Sequence, residues 1–208
     1  METYLTLHPI AFPTPLNSKI KTKEFLSACS NFVKFLDLFG KTFTPAIYDM
    51  SGNITKITKT YEENCDKNLY LEDMLLAERG EGKQIATDAL MWLRRYLQFF
   101  LEYFEGICND EMLQECTSVI AKVAYSNTLK PYHGWFVTLL FNIMILLFPK
   151  RNQLINQLGF SNEHVQEFVL HDMNEFTLNL RCCVNYLLHI YLVNGIEVVF
   201  QKRKFKQT

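Results

Sequence analysis

The sequence predicts an all-α protein, a layered domain of roughly seven or eight helices. Apolar residues recur at helical spacing along most of the chain, as in Phe25, Phe32, Phe35, Leu36 and Phe39. No segment alternates apolar and polar residues with period two. The segment QIATDALMWLRRYLQFFLEYFEGI carries two apolar stripes, one of Leu90, Leu93, Leu97, Phe100, Leu101 and Phe104, the other of Trp92, Tyr96, Phe99 and Tyr103. A helix apolar on two sides is covered on two sides, so this one is expected to be central.

The other elements follow in order. After a proline-bearing lead, residues 1–21, the segment FLSACSNFVKFLDLFG reads as a helix stopped by Gly40. Thr44 and Pro45 are expected to open the next helix, Thr44 as N-cap and Pro45 at the first helical position, where its missing N–H costs nothing. A shorter helix around Leu69 to Glu78 ends at Arg79-Gly80-Glu81-Gly82. Beyond the central helix come an amphipathic helix at 112–128 and a helix from Pro131 to about Phe148. One near 161–175 opens with Ser161, Glu163 and His164, and a final helix begins at Asn179. Residues 202–208 form a basic tail. At 208 residues, with no repeat and no low-complexity linker, the chain reads as one domain, 1–208.

Composition narrows the partners. Lys and Arg number 21 against 22 Asp and Glu, so the basic excess that neutralises phosphates is missing and nucleic acid is not expected. The start has no basic n-region followed by a continuous apolar stretch, so it does not read as a signal peptide and a cytoplasmic location is expected. The six cysteines lack C-x-x-C spacing and include the adjacent pair Cys182-Cys183, which suits neither a disulfide framework nor a zinc site. They read as reduced, mostly buried thiols. The longest apolar run, WFVTLLFNIMILLFP, falls short of the ~20 residues of a spanning helix and reads as a buried helix. No metal or cofactor motif and no enzyme signature is present: no G-x-S-x-G, H-E-x-x-H, P-loop or dinucleotide turn.

Several residues stand out as candidates. Asp49, Asn53 and Lys56, at i, i+4 and i+7, stack on one helix face and offer an acceptor, an amide and an ammonium donor. They read either as a solvated face or as a polar site, with Gly52 beside them as a place of close approach. Asn53-Ile54-Thr55 also spells a glycosylation sequon, which is not expected to be used where the start does not read as a signal peptide. Trp92 reads as core filling or as a plane on which a sugar ring stacks. Asp88, Arg95 and Tyr96 surround it one turn away. His133 is either a structural histidine or a ligand. Lys130, Tyr132 and Trp135 beside it give the aromatic-basic mix that favours a membrane interface.

Three segments together resemble one family. F-T-P-x-x-x-D-x-S-G-N-I-T-K-I (43–57), A-L-M-W-L-x-R (89–95) and K-x-Y-H-G-W (130–135) are similar, in order and separation, to the signature segments of the glycolipid transfer proteins, over essentially the whole chain. The resemblance implies a two-layer helical sandwich of about eight helices enclosing a lipid-chain pocket. It implies non-enzymatic carriage of glycosphingolipids, of the glucosyl-, galactosyl- or lactosylceramide class, by a monomer that touches membranes transiently. By the same resemblance, Asp49, Asn53 and Lys56 hydrogen-bond the sugar, Trp92 stacks on it, and Asp49 with His133 holds the ceramide amide. Trp135 helps dock on the membrane, and Tyr132 and Lys130 beside it are expected to join it there. Asp88, Arg95 and Tyr96, one turn from Trp92, are expected to modulate headgroup choice. Trp92 and Tyr96 stand where the ceramide-1-phosphate branch carries arginines, which favours a sugar. A ceramide-1-phosphate carrier, or a glycolipid sensor reporting to a protein partner, is the alternative.

Overall fold

Helices account for every regular element among the described residues, 2–162 and 165–196 of a computed structural model. They are α1 (Tyr4–Leu7), α2 (Thr22–Asp37), α3 (Thr44–Glu63), α4 (Leu71–Glu81), α5 (Ile85–Cys108), α6 (Ser118–Asn127), α7 (Trp135–Leu146), α8 (Arg151–Leu158) and α9 (Gln166–Val193), with 3₁₀ turns at Gly40–Phe43 and Lys130–Tyr132. They build the expected two-layer sandwich. The doubly apolar α5 is the central helix, packed against α3, α9, α6 and α4, while α2 lies against α3. Both of its stripes are used: Leu93, Leu97, Phe99, Phe100, Tyr103 and Phe104 are all essentially inaccessible to solvent. Close approach of α6 depends on Gly106, where a Cβ would lie 2.3 Å from Ile120 Cγ2.

The aliphatic core between these helices is threaded by a connected set of aromatic rings. Phe32 stacks on Phe176 at 5.8 Å and meets Phe100 edge-on at 5.5 Å, and Phe43 packs on Phe148 at 4.6 Å. Offset and edge-on pairs of this kind add about 0.5–1.5 kcal/mol each beyond the area they bury.

The start of α5 is fixed by a residue from another helix. No side chain of its own caps it; instead the buried Glu78 of α4 accepts the N–H groups of Ala86 and Thr87, both at 2.8 Å, and the Thr87 hydroxyl at 2.9 Å. A carboxylate there satisfies orphan donors and complements the positive end of the helix dipole. Between them the chain reverses at Gly82, whose φ of +68° is the left-handed conformation of a helix C-cap. At the other end of α5, buried Arg151 donates to the Ile107 and Gln114 carbonyls and to Asp110 at 2.7 Å, tying α8 to the turn that follows α5.

Several boundaries differ from expectation. The 3₁₀ turn runs straight into α3, so Phe43 takes the N-cap position, Thr44 is the first helical residue and no side chain caps it. The segment expected as helix from 112 is irregular up to Thr117, because Leu113 is left-handed (φ 49°) and the Asp110 carboxylate accepts the Gln114 N–H. Pro131 belongs to the 3₁₀ turn; His133 is extended and α7 starts only at Trp135. Phe160 and Ser161 both have positive φ, so no helix opens at Ser161, and Glu163 and His164 lie outside the described residues. The two helices expected after that are one, α9, since nothing between them breaks the pattern. The basic tail, 202–208, lies outside the described residues.

Two larger corrections concern burial. The run WFVTLLFNIMILLFP is not buried. Helix α7 seats Phe141, Met144 and Ile145 on the protein and leaves Phe136, Leu139, Leu140, Ile143 and Leu146 exposed, with Trp135 81% accessible. The cysteines are unpaired but not mostly buried: Cys29 and Cys183 are buried, whereas Cys65, Cys116 and Cys182 are exposed. By length and composition α9 qualifies as a membrane span, yet Met173, Leu180, Cys183, Leu187 and Tyr191 bury one side of it in the core, against α5.

Candidate functional site

Helices α3 and α5 run antiparallel, since Asp49 meets Tyr96 while Thr60, further along α3, shares a cavity with Ile85 at the start of α5. This brings the α3 stripe opposite the Trp92 side of α5. Asp49 and Lys56 stand exposed, while Asn53 is buried in the groove, its amide NH₂ donating to the Asp49 carbonyl at 3.0 Å. The stripe is thus a buried amide flanked by two accessible charges rather than a uniformly solvated face. A Cβ on Gly52 would meet no protein atom within 4 Å, so no packing contact accounts for the glycine. Tyr96 donates its hydroxyl to the Asp49 carboxylate. Burial, reinforced by that carboxylate, holds the phenol well above its usual range, so Tyr96 stays a neutral donor.

Across the groove Trp92 is half-buried, its indole stacked with the His133 imidazole at 6.0 Å and 24°. Arg95 is buried beside it, its guanidinium carbon 4.8 Å from the Trp92 ring and 3.5 Å from the Tyr132 ring. A planar cation between two rings is a favourable arrangement in a desolvated position. It also makes Tyr132 a partner of Arg95 rather than a freely exposed ring.

His133 is held by residues the sequence did not single out. Its Nδ1 lies 3.1 Å from the Tyr125 hydroxyl, and Tyr125 is in turn hydrogen-bonded by Thr138. Tyr125 stacks on Phe141 at 4.2 Å, nearly parallel. Burial lowers the His133 pKa, and Arg95 adds to the effect while Asp49 opposes it, so the imidazole is neutral near pH 7. From His133 the rings continue inward through Phe141 at 5.7 Å, Phe99 at 5.3 Å and Phe148 at 6.2 Å from the preceding ring, leading from the polar groove to the middle of the core.

The remaining candidates lie around this cluster. Asp88 is exposed one turn before Trp92 and lines a separate cavity of about 360 Å³ with Arg79, Lys83, Gln84 and Asn194. Lys130 is exposed, and Trp135 projects from the first turn of α7 with its ring 5.7 Å from that of Phe136. The structure therefore gathers Asp49, Trp92, Arg95, Tyr96 and His133, with Asn53 bonded to the Asp49 backbone and Lys56 exposed on the same face of α3, and sets Asp88, Lys130 and Trp135 apart.

This arrangement of helices is the GLTP fold. A solved FAPP2 structure, described as selecting simple glycosphingolipids with that fold, superposes with a TM-score of 0.83 at 26% identity, covering 94% of this chain and 98% of the other. HET-C2, a fungal glycolipid transfer protein, gives 0.82 at 25% identity over 91% and 97%. Human ceramide-1-phosphate transfer protein gives 0.77 at 15% identity, a likeness of fold alone. In sequence, the family profile described as Glycolipid transfer protein (GLTP) matches residues 20–160. The glycolipid transfer protein of Xenopus tropicalis is 32% identical over 199 residues, 91% of this chain and 95% of the relative, and that of Danio rerio is 31% identical over 186 residues, 85% and 89%. The chain belongs to the glycolipid transfer protein family.

Proposed function

We propose that this protein carries glycosphingolipids with a simple neutral headgroup between membranes, without altering them, as a cytoplasmic monomer that touches membranes transiently. The single observation that carries the reading is the groove itself, in which a carboxylate, a buried amide and an ammonium on α3 face an indole on α5, above a core of aromatic rings. Sugars present hydroxyls at their rim and C–H groups on their faces. Asp49, Asn53 and Lys56 supply donors and acceptors to the rim, and Trp92 supplies a plane to the face.

The Tyr125 network suits His133 to hold the ceramide amide. If the Thr138 hydroxyl donates to the Tyr125 oxygen, the Tyr125 proton goes to His133 Nδ1 and the imidazole proton must sit on Nε2. Nε2–H is then a fixed donor for the amide carbonyl, while Asp49 accepts the amide N–H. The two hydrocarbon chains would part the Phe141–Phe99–Phe148 rings, each buried CH₂ contributing ~0.8 kcal/mol. The polar contacts add less affinity but reject lipids that leave them unpaired. The exposed apolar face of α7, led by Trp135, supplies the membrane contact.

A phosphate headgroup fits less well, because Arg95 is clamped between Trp92 and Tyr132 and only Lys56 stands accessible on the groove. The test is transfer of glucosylceramide between vesicles. Trp92→Ala and Asp49→Val are expected to slow it at least about tenfold with helix content intact, and full activity in both variants would sink the proposal. Transfer no faster than spontaneous exchange would instead identify a sensor. A change in the lipid's mass after incubation would identify an enzyme.

A further inference from the structure

The two helix faces that form the headgroup groove continue past it. On α3, Thr60 and Glu63 lie one and two turns beyond Lys56 on the same stripe. On α5, Ile85 lies two turns before Trp92 on its stripe. They meet again at a cavity of about 360 Å³, which Lys67, Glu81 and Lys83 also line. That volume falls in the ~300–1,000 Å³ range of small-ligand clefts. From Asn53 to Thr60 is about 10 Å along the helix, a separation bridged by a second or third sugar rather than the first.

We infer that this cavity is an outer subsite of the groove, taking the distal sugars of a neutral oligosaccharide headgroup; the inference rests on the glycolipid-carrier reading above. Its lining has the chemistry for that ligand. Glu81 bridges two ammonium groups, Lys67 at 2.7 Å and Lys83 at 3.0 Å. Each lysine has three donors, so both keep N–H groups for hydroxyls. Glu63 adds an accessible acceptor, and Ile85, 59% exposed, gives an aliphatic surface for the C–H face of a ring. Glu78 also lines the cavity, but its carboxylate is occupied by Ala86 and Thr87. With Glu78 buried and occupied, the accessible carboxylates of Glu63 and Glu81 balance the two ammonium groups, so the lining offers hydrogen bonds without a net charge, which suits uncharged sugars.

The experiment compares vesicle-to-vesicle transfer of glucosylceramide with that of a neutral ceramide trihexoside, in the wild type, Lys83→Ala, Glu63→Gln and the Trp92→Ala control. In Lys83→Ala, trihexoside transfer is expected to fall roughly tenfold, the size of one charge-assisted hydrogen bond. Glucosylceramide transfer should stay within about twofold, since the substitution lies well away from the first sugar. Glu63→Gln should fall in the same direction, with melting temperatures confirming that both variants fold. If glucosylceramide transfer depends on Trp92 but the trihexoside is not carried, or both lipids respond alike to Lys83→Ala and Glu63→Gln, the outer subsite is overturned and the carrier reading stands. If the wild type transfers neither lipid, the carrier reading falls and the subsite with it.

Discussion

Trp135→Ala should release the protein from membranes without loosening its fold. The side chain is 81% accessible, and a tryptophan offers at most ~250 Å² of surface, so about 200 Å² remains for a bilayer to cover. At ~25 cal/mol per Å² that is ~5 kcal/mol for full insertion and ~2.5 kcal/mol for a ring lodged half-way, a drop of roughly 50-fold in partitioning. Fold stability should change by no more than ~0.5 kcal/mol, because the ring touches little of the protein. Sedimentation with phosphatidylcholine vesicles measures the first quantity and urea unfolding the second. With two tryptophans in the chain, Trp92→Phe makes Trp135 a lone fluorophore, whose emission should shift to the blue on adding vesicles. Partitioning of Trp135→Ala within twofold of wild type, together with an unshifted reporter, would refute the assignment of α7 as the docking surface.

The site and core give four more expectations. Trp92→Ala should slow glucosylceramide transfer at least about tenfold, from loss of an aromatic face worth up to ~1.5 kcal/mol and of one wall of the Arg95 clamp, with the circular dichroism unchanged. Tyr125→Phe should cost ~1 kcal/mol of stability and relax the His133 tautomer, which nitrogen chemical shifts would report. Because the folded His133 sits below its ordinary value of 6.5, the unfolded chain takes up this proton first as pH falls. Stability should therefore decline below about pH 6.5 and level off once the folded imidazole also protonates. In His133→Asn that part of the pH dependence of the melting temperature should be missing. Phe141→Ala should lower unfolding free energy by about 3–5 kcal/mol, because its ring, 93% buried, packs against Tyr125, His133 and Phe99; a loss below ~1 kcal/mol would mean that this seam is not part of the load on the fold.

How far the sequence could be read depended on the range of the interaction. The stripes of α5 and the Asp49–Asn53–Lys56 face follow from helical periodicity, a local property, and both stand where the pattern put them. Tyr125 carried no such signal: the pattern marks it as a buried position on α6, and nothing nearby says that its hydroxyl meets His133 eight residues on, across a 3₁₀ turn. The clamp on Arg95 was hidden for the same reason, since Tyr132 comes to it from another element. Helix α7 was misjudged differently. Hydropathy states what a segment prefers, not whether the fold has anything left to cover it, and here only the Phe141–Met144–Ile145 stripe found a partner. The merged α9 was legible in principle, because the residues from Met173 to Leu180 contain neither glycine nor proline.

The apolar character of α9 bears on how the chain is made. Of the described helices it alone has the length and hydropathy that a translocation channel accepts. Its partner α5 precedes it in the chain, so the surface that buries Met173, Leu180 and Leu187 is synthesised before α9 itself. A domain folds as a unit, so α9, the last of the described helices, completes it by closing on residues of α5 already made. A chain permuted to place α9 ahead of α5 would make its most span-like helix before the surface that buries it, and is expected to aggregate or mistarget more than the natural order.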